Sequence, residues 1–205
     1  VNDVSFDIKR NTIHCLGGEN GAGKSTLIKI LPGATIRTDG KIYLNGQEYC
    51  ADNTKDAKEK GISTLFQELN VVDQLTVEEK LTLGMEDTTF GFLKKTDKVK
   101  KMVSVLYSLE PSINPKKLVS SLSVAQKQIV EIAKAVATES DVIIMDEPTA
   151  ALSESEIKRL FDIIKGLHEK SVTVIYISHR LDEIFEIGDY VTVMRDGRHI
   201  DTKPI

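Results

Sequence analysis

Apolar positions recur in short alternating or unbroken runs near both ends of the chain and with a helical period through its middle. Residues 4–8 (Val-Ser-Phe-Asp-Ile) alternate strictly and residues 12–16 are mostly apolar, so both segments are expected as strands. A glycine-rich turn follows, then a helix over 24–31 that Pro32-Gly33 stops. Asp39-Gly40 and Asn45-Gly46 bracket residues 41–44, which is the chemistry of a tight hairpin and of an antiparallel patch. Another strand is expected at 62–66.

From about residue 69 to 138 the pattern is helical, broken by Pro111 and Pro115. After Ser123, the positions Ala125, Ile129, Ile132, Ala133 and Val136 share one face of an amphipathic helix. The lysine-rich run 94–101 reads as a solvated helix face. Strand-like runs return at 142–145 and 172–177, with a helix between them that aligns Ile157, Leu160, Phe161 and Ile164. Residues 190–194 and 198–200, turning at Asp196-Gly197, form a second hairpin. The expectation is an α/β fold: a core over about 1–68 and 139–205 with a mixed sheet, interrupted by a helical subdomain over about 69–138.

Composition narrows the function classes. The 205 residues are 40% hydrophobic and 28% charged with a net charge of −4. That balance argues against disorder and against wrapping nucleic acid, which calls for a basic excess. Apolar stretches such as 142–145 fall far short of a membrane span of about 18 residues, and the start carries no signal-segment pattern. The chain opens with Val1, so its natural N-terminus is expected upstream. Cys15 and Cys50 read as reduced thiols of a cytosolic protein with no functional role. His14, His168 and His199 show no partners in the pattern.

Candidate chemistry concentrates at three places. Gly18-Glu19-Asn20-Gly21-Ala22-Gly23-Lys24-Ser25 fits the phosphate-loop pattern G-x-x-x-x-G-K-[ST] after a strand and before a helix, with Thr26 continuing the set. In such a loop backbone N–H groups curl around phosphate oxygens; Lys24 would reach the β- and γ-phosphates and Ser25 would ligate Mg²⁺. The run 142–145 ends in Asp146-Glu147, two acids at the carboxyl edge of a buried strand, where open α/β sheets bind ligands. Asp146 can hold Mg²⁺ through water, while Glu147 can polarise an attacking water. Ser123 and Gln126 have the spacing of a capping box, which would present a helix N-terminus to a phosphate.

Taken in order, these motifs resemble the nucleotide-binding domain of ATP-binding-cassette (ABC) proteins over essentially the whole chain. The resemblance implies that Gln67 is the Q-loop glutamine, a ligand of Mg²⁺ and water. It makes Leu122-Ser123-Val124-Ala125-Gln126 the signature, Asp146-Glu147-Pro148-Thr149 the Walker B end leading into the D-loop, and His179 the switch histidine that contacts the γ-phosphate. Two departures are specific: Val124 and Ala125 stand where the usual signature has glycines, and Ser153 stands at the D-loop aspartate. Both are similar to the first half of the tandem ATPase subunits of bacterial ribose-, galactose- and xylose-type importers, as are Glu131-Ile132-Ala133-Lys134-Ala135 and the stretches 66–69 and 75–78.

The resemblance implies an ATPase that powers sugar import, with ATP and Mg²⁺ as ligands. It implies a location on the cytoplasmic face of a bacterial membrane. Its partners would be a second ABC domain, permease subunits and, indirectly, a sugar-binding protein, but no nucleic acid. The second half would need another phosphate loop, and this chain has none. An aromatic that stacks on adenine is expected upstream of Val1, with Phe6 facing the core instead. Two alternatives remain at this point: a soluble ABC ATPase of translation or DNA maintenance, and a nucleotide-binding regulatory half with little turnover. The short interval between Ser25 and Ser123 leaves no room for a long coiled coil, and Glu147 and His179 speak for turnover. A GTPase is disfavoured, because no Asn-Lys-x-Asp motif occurs.

Overall fold

The computed structural model describes residues 1–65, 74–83, 92–137, 140–150 and 152–205, with backbone alone over 92–98. Gln67 therefore lies outside the described residues. The chain divides into two compact units, Val1–Phe66 with Ser140–Pro148 and Ile164–Ile205, and Gln67–Glu139 with Thr149–Ile163.

The first unit is built on a six-stranded sheet. Its strands are β1 (Ile13–Gly17), β4 (Ile62–Leu65), β5 (Val142–Asp146), β6 (Thr173–Ile177), β7 (Tyr190–Arg195) and β8 (Arg198–Pro204), in the order β4-β5-β6-β1-β7-β8. The first five in that order run parallel, and β8 folds back antiparallel on β7. Every residue of β1 and β6 is buried, as strands in the middle of a parallel sheet are. A separate two-stranded sheet pairs β2 (Ile42–Leu44) with β3 (Gln47–Tyr49). Both hairpins turn on residues that tolerate the left-handed region: Asn45 and Gly46 at φ 55 and 81, Asp196 and Gly197 at φ 52 and 73. These are the pairs of a type I′ turn, whose twist suits two adjacent strands.

Helix α1 (Lys24–Ile30) follows the glycine-rich turn and stops just before Pro32. Two further helices escape the hydrophobic pattern. In α2 (Thr54–Glu59) only Ala57 is buried, and Asn53 starts the helix by accepting from the N–H groups of Lys55 and Asp56. Helix α7 (Leu181–Ile187) directly follows β6 after a three-residue connection.

Residues 4–8 correct an expectation. Val4, Phe6 and Ile8 are half-buried and Ser5 and Asp7 exposed, so the alternation is real, but the segment joins neither sheet. A strand needs a ladder partner as well as an apolar face; here the burial comes from Phe6 and Ile8 packing on the core formed by Leu16, Ile28, Ile62, Ile144, Ile175 and Ile177. Phe6 does face the core, stacked on His14 and on His199 with centroids 5.8 Å from each.

The histidines have partners after all. His14 is buried, bonds Thr192 Oγ1 at 2.7 Å and is pushed down to about 4 by that burial. Thr192 in turn bonds Thr202, which bonds His199. His168 pairs with the carbonyl of Asn11. Both cysteines are free, and burial together with the charge of Asp189 pushes the Cys15 thiol up to about 12, which leaves it unreactive.

The second unit is helical, with α3 (Val77–Thr82), α4 (Phe92–Leu109), α5 (Val124–Ala137) and the first part of α6 (Glu154–Glu169). Its core joins Val77 and Leu81 of α3, Met102 and Leu106 of α4, and Ile129, Val130 and Ala133 of α5. Lys134 donates to the carbonyl of Leu83 at 2.7 Å, capping the end of α3, and Lys80 pairs with Glu131 at 2.8 Å. Among the described residues no helix is long and apolar enough to cross a membrane.

Candidate phosphate-binding site

The register of the sheet decides where the site lies. Asp146 is paired with Ile177, and Leu16 with Ile177, so the carboxyl ends of β5, β6 and β1 finish nearly flush. The segments that leave those ends carry the phosphate loop, Glu147 and His179.

Three glycines of the loop adopt positive φ: 150 at Gly18, 83 at Gly21 and 95 at Gly23. They are needed for different reasons. A Cβ on Gly18 would stand 2.3 Å from the carbonyl oxygen of Met194, whereas one on Gly21 would meet nothing within 4 Å. Gly18 thus lets the loop pass over the end of β7, and Gly21 serves the turn alone. Lys24 is buried, and its ammonium donates to the carbonyls of Gly18 at 2.6 Å and Glu19 at 3.0 Å. The loop is thereby wrapped around its own lysine. Ala22 is buried, Asn20 and Gly21 are exposed, and Ser25 and Thr26 are exposed on the first turn of α1.

Asp146 is only 4% exposed, and its Oδ1 has no hydrogen-bond partner. Burial first, and the Glu147 charge second, raise its carboxyl above the ordinary aspartate range, against the opposing pull of Lys29, a hydrogen bond from Ser25 and the charge of Lys24. The next residue leaves the strand line: Glu147 has φ 44, a left-handed value that a non-glycine residue adopts only when its surroundings hold it there. Its N–H donates to the carbonyl of Ile177 at 3.1 Å. The flip turns its carboxylate toward the connection after β6, where Oε1 lies 3.0 Å from Nδ1 of His179. Half of the His179 side chain is open to solvent.

In the second unit, Ser123 and Gln126 form the reciprocal box: Gln126 N–H donates to Ser123 Oγ at 3.2 Å and Ser123 N–H to Gln126 Oε1 at 3.1 Å. Val124 is exposed and Ala125 buried. Ser153 has a role that its S-x-x-E spacing could have revealed: its N–H and hydroxyl both donate to Glu156 at 2.8 and 2.7 Å, opening α6. A serine in place of an aspartate keeps that helix start intact.

The family model described as ABC transporter matches residues 1–150. The chain belongs to the ABC transporter family. Three of its relatives are named as sugar import ATP-binding proteins. It is 46% identical over 206 aligned positions to a putative ribose/galactose/methyl galactoside import ATP-binding protein of Geobacillus kaustophilus, covering 100% of this chain and 41% of the relative. It is 45% identical to the ribose import ATP-binding protein RbsA of Shouchella clausii, covering 100% and 42%. An arabinose import ATP-binding protein AraG of Mannheimia succiniciproducens is 40% identical, with 98% and 40% covered.

The chain thus spans about two fifths of the length of these relatives. Among solved structures, a nucleotide-free ATP-binding cassette from an ABC transporter superposes with a TM-score of 0.86 at 26% identity, over 98% of this chain and 83% of that one. The ADP conformation of another such cassette, MJ1267, gives 0.86 at 27% identity over 98% and 84%. This ABC domain has the mixed α/β fold of those cassettes.

Proposed function

We propose that the chain is the ATP-binding and ATP-hydrolysing module of a bacterial sugar importer, acting at the cytoplasmic face of the membrane without entering it. The observation that carries the hydrolytic part is the contact of Glu147 with His179 beside a phosphate loop: a carboxylate and an imidazole held 3.0 Å apart at the edge where a nucleotide's γ-phosphate would lie. The names and 40–46% identities of the relatives support the transport part.

In this reading Gly18, Glu19, Asn20, Gly21, Ala22, Gly23, Lys24, Ser25 and Thr26 hold the phosphates. Lys24 exchanges its carbonyl partners in the loop for the β- and γ-oxygens, a trade of neutral for anionic acceptors that favours the bound state. Glu147 accepts the proton of the attacking water. With Nδ1 toward Glu147, His179 presents Nε2 to the γ-phosphate.

The donor set suits Mg²⁺. Asp146 and Ser25 supply hard oxygens, one of them a buried carboxylate oxygen lacking any other partner, and Mg²⁺ takes few protein ligands beside phosphate and water. Gln67 would join them. When bound, the ion would neutralise charge on the β- and γ-phosphates.

A second ABC domain would complete the site by presenting Ser123, Val124, Ala125 and Gln126 to the same nucleotide. Closure of the pair would act on permease subunits through the helical subdomain, and a sugar-binding protein would deliver the cargo. Glu147→Gln tests the core of this reading: it should retain ATP binding while hydrolysis slows by roughly 10²–10⁴-fold, the range for a lost general base. Hydrolysis at the wild-type rate would overturn the assignment.

A further inference from the structure

Between β6 and α7 the connection is only Ser178, His179 and Arg180. His179 is half open to solvent, so packing does little to hold its ring, and its place depends on the backbone to either side. Both neighbours are tied to one carboxylate. Glu183, on the inner face of α7 and only 2% exposed, accepts at Oε2 from the hydroxyls of Ser178 and Tyr176, each at 2.8 Å. Its Oε1 faces the guanidinium of Arg180 at 3.1 Å.

Ser178 closes the loop. Its Oγ accepts the N–H of Arg180 at 3.0 Å, so its single proton is committed to Glu183. The residue before His179 and the residue after it are therefore locked to each other and to the buried carboxylate. Arg180 starts α7 without a side-chain cap of its own, and its own N–H is the one that the Ser178 hydroxyl accepts. A carboxylate buried to this degree is costly to keep unless it is paired and hydrogen-bonded, as Glu183 is here.

We propose that Glu183 is a positioning residue for His179. By fixing Ser178 and Arg180, it holds the imidazole at the distance from Glu147 that phosphoryl transfer requires. The inference rests on the reading of His179 as the γ-phosphate contact. It separates two duties within one network. Tyr176 donates to the same oxygen from inside β6 and stabilises the carboxylate, whereas Ser178 and Arg180 connect the carboxylate to the histidine turn.

Three variants of the 205-residue chain test it: Glu183→Gln, Ser178→Ala and Tyr176→Phe. Steady-state ATP hydrolysis with Mg²⁺ gives kcat and KM, thermal unfolding gives Tm, and ¹⁵N-histidine NMR of the nucleotide-free protein reports the His179 ring, assigned by the signal lost in His179→Ala. Misplacing a catalytic group by about 1 Å costs up to roughly 100-fold, so Glu183→Gln and Ser178→Ala should lower kcat by about 10- to 100-fold. Their KM for ATP should stay within about twofold, because the phosphate loop is untouched. The His179 ring signals should shift in both variants.

Tyr176→Phe should lower Tm yet leave kcat within about twofold of wild type. If Glu183→Gln fails to fold, Ser178→Ala decides by itself. Wild-type kcat with unmoved His179 signals in the folded variants would overturn the proposal. So would a loss of kcat that follows Tm equally in all three. A wild-type chain that hydrolyses no ATP would instead refute the functional reading, and this inference with it.

Discussion

Replacing Asp146 by Asn should make the nucleotide-free protein more stable and the nucleotide-bound protein less so. The carboxylate sits at the end of β5 with 4% exposure, an unpartnered Oδ1 and the like charge of Glu147 next to it. Burial and that neighbour raise its folded pKa above the ordinary value of 3.8. A raised carboxylate makes its most favourable contribution to stability below 3.8, and this contribution is lost as pH rises through the folded pKa. At neutral pH the charge is therefore a burden on the empty fold.

An unsatisfied buried polar atom costs about 1–3 kcal/mol, and the amide still leaves one atom to satisfy, so the expected gain is about 1 kcal/mol. For a chain of this size that raises Tm by about 2–4 °C. With ATP and Mg²⁺ at about 100 times Kd, wild type gains about 2.7 kcal/mol, most of which the variant forgoes. The order of the two melting temperatures should reverse between empty and loaded protein. Calorimetry at about pH 7 and again near pH 3, below the ordinary carboxyl value of 3.8, checks the sign and its cause. A variant less stable than wild type when empty at neutral pH would refute the reasoning.

Three other outcomes follow from the same geometry. Lys24→Ala removes charged hydrogen bonds worth about 1.5–3 kcal/mol, so ATP affinity should fall by roughly one to two decades while circular dichroism stays native. Gly18→Ala drives a Cβ to 2.3 Å from the carbonyl of Met194 and should destabilise the fold by at least the roughly 1–3 kcal/mol of an overpacked core. Gly21→Ala, which faces open space, should cost only the left-handed penalty of about 1–2 kcal/mol in a urea titration.

His14→Gln should flatten the acid limb of stability. With a folded value of about 4 against 6.5 when unfolded, the stability contributed by neutral His14 is complete above pH 6.5 and drains away between 6.5 and about 4. An unchanged pH profile would mean that His14 is not the group responsible.

What the sequence made legible was whatever short-range chemistry alone decides. Asn45-Gly46 and Asp196-Gly197 announce both hairpins because few other pairs accept two successive positive φ values. The mostly apolar runs at β5 and β6 announce buried strands, because both faces of such a strand are covered. Ser123 and Gln126 announce a helix start because the box is local.

The sequence was less informative where a contact joins distant segments. Residues 4–8 alternate as a strand would, yet pairing depends on a neighbour that the alternation cannot name. His14 finds Thr192 only because β7 lies beside β1, 178 residues on in sequence. Helix α2 buries a single residue and so leaves no apolar period, and α7 is seven residues long, too short for one to stand out. Ser153 is the opposite case: its S-x-x-E signal to Glu156 is local and stands in the sequence.

The two adjacent acids show how one strand end can perform two tasks. Had β5 simply continued, Asp146 and Glu147 would point to opposite faces of the sheet, as neighbours on a strand must. Instead the backbone turns left-handed at Glu147, and its N–H is caught by Ile177 at the end of β6. Asp146 stays buried beside Ser25 and the phosphate-loop lysine, in a setting that raises its pKa and leaves an oxygen free for a cation. Glu147 is delivered to His179, nearer to water. The positive φ at glutamate is thus the structural cause of the division, and it is supported twice: by the Ile177 carbonyl at the end of β6, which holds the flipped amide, and by the Ser178–Glu183 lock just beyond it, which holds the histidine that Glu147 meets.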